Sequence, residues 1–138
     1  MLTTDDLATP PPGWTIIVRR LPTSFGRCLW SSRQIALDDR LTAAEARCTR
    51  AHEILHARRG RPPAWMRDRE ETLIEQTVAS ILIPLEALTR ALQWTASLSE
   101  AADELRVDDR TLEVRLQHLH PSEQAELKRQ LAPTLANP

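Results

Sequence analysis

Thr42-Ala43-Ala44-Glu45-Ala46-Arg47-Cys48-Thr49-Arg50-Ala51-His52-Glu53-Ile54-Leu55-His56 is the stretch from which this chain is read. Its first four residues form a capping box, with Thr42 as N-cap and Glu45 at the third helical position. Ala46 to Ala57 follow with neither Pro nor Gly, and Gly60, Pro62 and Pro63 end the run. Ala44, Cys48, Ala51 and Leu55 make an apolar stripe at helical spacing. His52 and His56 lie beside that stripe, one turn apart on one face.

Residues 52–56 read H-E-x-x-H. Two imidazoles at this spacing can grip one metal ion, and the intervening Glu53 can serve as general base toward a water at that ion. So short a motif also arises by chance, and its context has to decide. A catalytic zinc needs a third protein ligand and an open position. The next helical run, Asp68 to Ile83, carries Glu71, Glu75, Val78 and Leu82 on one face, acidic above and apolar below. A solvated stripe does not normally end in Val and Leu. Glu71 is therefore expected as third ligand, with Glu70 the alternative. Glu75, one turn on, is expected to orient a ligating His. Both acids are also what the start of any helix favours. One zinc ion per chain is the cofactor this site implies.

Composition narrows the class. The chain has 138 residues, 41% of them apolar, enough for one compact domain with a small appendage. A net charge of -1 creates no global field toward nucleic acid or membrane. No apolar run approaches a membrane span. Met1 to Gly13 lacks a basic start and an apolar stretch, so it does not read as a signal peptide, and a cytoplasmic protein is expected. Cys28 and Cys48 are then expected as free thiols. Cys48, one turn before His52, is read as a small buried hydrophobe rather than a ligand.

The expected fold class is α+β. Residues 1–13 read as a flexible leader. Residues 14–96 form the expected metallopeptidase core, opening on a short β-meander: Trp14 to Leu21, Cys28 to Ser31 and Gln34 to Leu37. Such a sheet can offer an edge strand to an extended substrate. Pro84 opens a helix from Leu85 to Gln93. Residues 97–138 read as a helical segment resembling a helix-turn-helix and packed on the core. It comprises Glu100 to Leu105 behind a Ser97 capping box, then about Asp109 to Leu119, then a helix from Pro121. Ala101, Leu105, Val107, Leu112 and Leu116 are its small core. The second helix carries mixed charge, with Asp108 and Asp109 where base contacts usually occur, and this argues against direct nucleic-acid binding. His118 and His120 stand in no ligand spacing with the first site.

Arg33-Gln34-Ile35-Ala36-Leu37, the run from Leu41 to Arg47, and Ala51 to His56 together resemble the ImmA/IrrE family of metallopeptidases. Downstream, Glu71, Glu75, Ala79 and Ile81-Leu82-Ile83-Pro84 match that family's pattern, and the resemblance spans about residues 14–120. The family often has Gly before the second His, where this chain has Leu55. The resemblance implies a small zincin-like, gluzincin-like minimal fold and a cytoplasmic zinc protease. It also implies zinc on His52, His56 and Glu71, Glu53 as base and Glu75 as the supporting carboxylate. Many members act as anti-repressors on a helix-turn-helix repressor, so a repressor-like protein is the implied substrate. Related peptidases commonly add a Tyr or His for the oxyanion. This chain has no Tyr, leaving His118, His120 or an Arg as candidates. Two other readings stay open: a regulator binding protein or DNA with structural or no zinc, and a metal-free helical domain.

Overall fold

Three strands and six helices build the chain in the computed structural model, which describes residues 1–136. The strands are β1 (Thr15–Arg19), β2 (Gly26–Leu29) and β3 (Gln34–Asp38). The helices are α1 (Ala43–Arg59), α2 (Arg67–Leu82), α3 (Leu85–Trp94), α4 (Leu98–Leu105), α5 (Asp109–Gln117) and α6 (Pro121–Ala136). A 3₁₀ turn at Ala64–Met66 leads into α2. The class is thus α+β. No helix among the described residues is long and apolar enough to cross a membrane.

The sheet is not the expected meander. Its order is β1-β3-β2, with β1 parallel to β3 and β2 antiparallel to it. The chain leaves β1 past Leu21 and Pro22, whose missing N–H suits a crossing better than a hairpin ladder. Buried Asp38 clamps that crossing: it accepts from the Leu21 N–H at 3.1 Å and from Arg40 Nε at 3.0 Å. Arg40 in turn donates to the Leu21 carbonyl at 2.8 Å. β3 therefore sits at the centre, with Ile35, Ala36 and Leu37 buried, and β2 becomes an edge.

Thr42 caps α1 as its sequence requires. Its hydroxyl accepts from the Glu45 N–H at 3.1 Å, and the Glu45 carboxylate accepts from the Thr42 N–H at 2.9 Å. At the other end Gly60 takes φ 95, which favours glycine, and the chain turns toward α2. Cys48, Ala51, Ile54 and Leu55 of α1 meet Ile74, Val78 and Leu82 of α2 in one apolar cluster. Ala101, Ala102, Val107, Leu112 and Leu127 join that cluster, so the C-terminal helices share the core rather than form a separate unit. Leu105 and Leu116 pack against it half-buried.

The leader does not hang free. Leu7 is 2% exposed and belongs to the core, while Thr3 and Asp6 exchange hydrogen bonds that close the local turn. At Ser97 the expected capping box is half made. Its hydroxyl accepts from the Glu100 N–H, but the Glu100 carboxylate accepts from Thr95 Oγ1, and Thr95 takes the Ser97 N–H.

The C-terminal half is tied to α2 by a buried guanidinium. Arg115 is 4% exposed, donates from Nε to the Ile83 carbonyl at 2.8 Å, and forks onto Glu123 at 3.0 and 2.7 Å. It satisfies the carbonyl that α2 leaves orphaned at its buried end. Arg115→Ala strands the Ile83 carbonyl and takes the fork from Glu123, which keeps the His120 N–H, so a loss of about 2–3 kcal/mol is expected in urea unfolding; a loss below about 1 kcal/mol would contradict the role. The forked hydrogen bonds from Arg115 hold the Glu123 carboxyl down at about 2. Its folded value lies below its ordinary 4.5, so its contribution is full above that value and lost as pH falls toward 2. The stability difference between wild type and Arg115→Ala should shrink through that window.

Candidate metal centre

His52 and His56 project from one face of α1 toward α2, their rings 4.9 Å apart between centroids. Glu71, in the first turns of α2, meets both. Its Oε1 lies 2.6 Å from His52 Nε2 and its Oε2 lies 2.8 Å from His56 Nε2. The three potential ligand atoms all fall within 4.8 Å of one another. Among the described residues this is the only cluster of at least three His, Cys, Asp or Glu side chains so arranged.

The shared carboxylate governs the electrostatics of the cluster. Burial pulls the His52 imidazole down, but the Glu71 hydrogen bond, aided by the charges of Glu71, Glu53 and Glu75, outweighs it and leaves it raised. Hydrogen bonds from His52 and His56 hold the Glu71 carboxyl far below the usual carboxylate range. A carboxylate that stays ionised between two imidazole Nε2 atoms is a donor set suited to zinc: two nitrogens, one oxygen and an open side. The residues fit that ion.

Glu70, the alternative ligand, is otherwise engaged. It is buried, with both oxygens on the Arg59 guanidinium, one of them 3.2 Å from Nη2, and that hydrogen bond holds its carboxyl below the ordinary value. The pair locks the end of α1 to the start of α2. Glu75 stands beside the centre but not in the expected contact. It makes no hydrogen bond to either imidazole and pairs with Arg110 of α5 at 3.3 Å. Its influence on His52 is that of a nearby charge. Cys48 is buried, its thiol raised chiefly by that burial, and it is not among the clustered ligands. Leu55 turns into the core and lines neither cleft at the centre.

Glu53 is the remaining member. It is only 9% exposed, and its charge joins burial in raising the Cys28 thiol beside it. The carboxylate is not a stranded buried group, because it faces space that solvent reaches. It lines two clefts that open on either side of Glu71. The first, about 260 Å³, runs between α1, α2 and the start of α5 past Phe25, Val78, Arg110 and Val114. The second, about 430 Å³, runs past β2 and the turn before α2. His118 and His120 line neither. His118 Nδ1 lies 2.9 Å from the Val114 carbonyl and His120 Nδ1 lies 2.8 Å from Ser122 Oγ. The start of α5 thus forms a cleft wall, with Asp108 capping that helix through the Thr111 N–H at 2.8 Å.

Gly26 also belongs to the centre, unnoticed in the sequence. A Cβ there would stand 2.5 Å from Thr49 Cγ2 and 3.2 Å from Glu53 Cγ. Only glycine lets edge strand β2 lie this close to the face of α1 that carries Glu53. Cys28, two residues on, donates its thiol to the Glu53 carbonyl at 3.4 Å and holds the same approach.

Comparisons with models of protein families, with curated proteins and with solved structures found no match to this chain.

Purified protein should take up one zinc ion per chain, read by elemental analysis after gel filtration. His52→Ala, His56→Ala and Glu71→Ala should each weaken that uptake by at least about 100-fold, whereas Glu70→Ala should retain it. Wild-type affinity in any of the three ligand variants would remove that residue from the site.

Proposed function

We propose that the protein is a zinc-dependent endopeptidase with a small zincin-like fold. The observation that carries this reading is the cluster itself: two imidazoles one turn apart that share Glu71, with the Glu53 carboxylate lining both clefts beside them. A purely structural zinc site closes on four protein ligands, whereas this cluster offers three and opens into clefts. The support therefore favours a catalytic centre over a regulator held together by zinc.

His52, His56 and Glu71 would hold the zinc ion, which would supply Lewis acidity toward a water and a peptide carbonyl. Glu53 takes the proton as the water oxygen adds to the carbonyl carbon. It then hands that proton to the departing amine as the C–N bond breaks. Arg110, tethered by Glu75 on the cleft wall, offers N–H groups to the carbonyl oxygen as charge builds there, the task other peptidases give to Tyr or His. Edge strand β2 has an unpaired side within the sheet, on which an extended substrate backbone can lie. The resemblance to the ImmA/IrrE family makes a helix-turn-helix repressor the natural protein substrate and an anti-repressor role the biological one.

Glu53→Gln should bind zinc as wild type does. Its rate of cleavage, followed as new termini in a pool of unfolded proteins, should fall about 10²–10⁴-fold. Cleavage at the wild-type rate would take the base role away from Glu53.

A further inference from the structure

The two clefts beside the centre differ in charge. The smaller is walled by Phe25, Val78 and Val114, with the acids Glu75 and Asp108 and one cation, Arg110, already paired to Glu75. The larger is walled by Arg27 of β2, Arg61 of the loop after α1 and Arg67 at the start of α2, with Trp30 and Pro62 between them. Its carboxylates, Glu53 and Glu71, are those of the centre itself. Arg27, Arg61 and Arg67 are all exposed, and none takes part in an ion pair among the described residues. Other arginines also lack an ion pair, but these three are the ones that line a cleft at the centre without a carboxylate partner.

Three unneutralised guanidiniums around one concave surface favour anionic ligands, and guanidinium geometry matches carboxylates in particular. The clefts share Gly26, Glu53 and Glu71, so a chain crossing the centre passes from one into the other. Strand β2 runs the same way, from the Phe25 side through Gly26 to Arg27 and Cys28, with Trp30 just past its end. One ligand can thus lie along both.

We propose that the Arg27–Arg61–Arg67 cleft is a binding site for acidic side chains of a peptide, so that the substrate presents Asp or Glu on the His56 side and apolar residues on the Val78 side. The site's purpose rests on the peptidase reading, but its charge preference does not.

The test separates the two. Zinc-loaded, full-length Glu53→Gln protein is titrated against a labelled peptide of Ala and Leu carrying three consecutive Glu, and against its Gln counterpart, with fluorescence anisotropy as readout. The acidic peptide should bind about tenfold more tightly at low ionic strength, and the gap should close as salt rises. Arg61→Gln with Arg67→Gln should abolish the gap, while Arg90→Gln on α3 should leave it intact. All three arginines are exposed and without ion-pair partners, so thermal melting should match the parent protein. Equal binding of the two peptides, binding of neither at millimolar concentration, or a gap that survives the double substitution would each overturn the assignment. A charge gap together with no cleavage by the wild-type protein would instead retire the peptidase reading and leave the acidic-peptide site standing.

Discussion

The candidate centre depends on the register between α1 and α2. Two imidazoles on one helix have no third partner unless the next helix returns at the right height. Three features set that height. Gly60 and the 3₁₀ turn at Ala64–Met66 reverse the chain. The Arg59–Glu70 pair joins the end of one helix to the start of the next. Ile54, Leu55, Ile74 and Val78 bury the seam between them. A slip of one residue would turn Glu71 about 100° away from His52 and His56 and put Glu70 or Thr72 in its place. The ion pair and the apolar seam oppose that slip together, since either alternative would also unseat Glu70 from Arg59.

Around this pair the rest of the molecule builds access. The sheet brings an edge strand against α1, and Gly26 lets it come close. The C-terminal helices contribute a wall rather than a separate module: α5 places Arg110 and Val114 at one cleft and sends Arg115 under the end of α2. The same helix thus braces α2 from within and shapes the space beside the candidate ligands. Stability and site geometry are coupled through it, and a change at Arg115 should be felt at Glu71 although no side chain joins them.

Much of this was legible in sequence because its causes are local. Thr42 and Glu45 are three residues apart, and their capping box is present as read. His52 and His56 are one turn apart on the predicted helix. Glu71, Val78 and Leu82 share a face by spacing alone, and the preference of Glu71 over Glu70 follows from that face. What was missed depends on distant partners. Glu75 looked like support for a histidine, but Arg110, thirty-five residues on, holds it. Strand order was misjudged because Asp38 clamping Leu21 is a long-range contact invisible to strand propensity. Leu7 looked like part of a loose leader because one apolar residue among polar ones gives no periodic signal. Gly26 gave none, because the expected strand began at Cys28, whereas β2 begins at Gly26 itself. The charge contrast between the two clefts could not be read at all, since Arg27, Arg61 and Arg67 meet only in the fold.

X-ray absorption at the zinc edge of the loaded protein tests the central claim most directly. The account predicts a shell of nitrogen and oxygen donors only, at about 2.0–2.2 Å, with the outer scattering of two imidazoles. Sulfur at about 2.3 Å would bring Cys28 or Cys48 into the site, and a shell lacking two imidazoles would remove His52 and His56 from it. Either result would contradict the centre described.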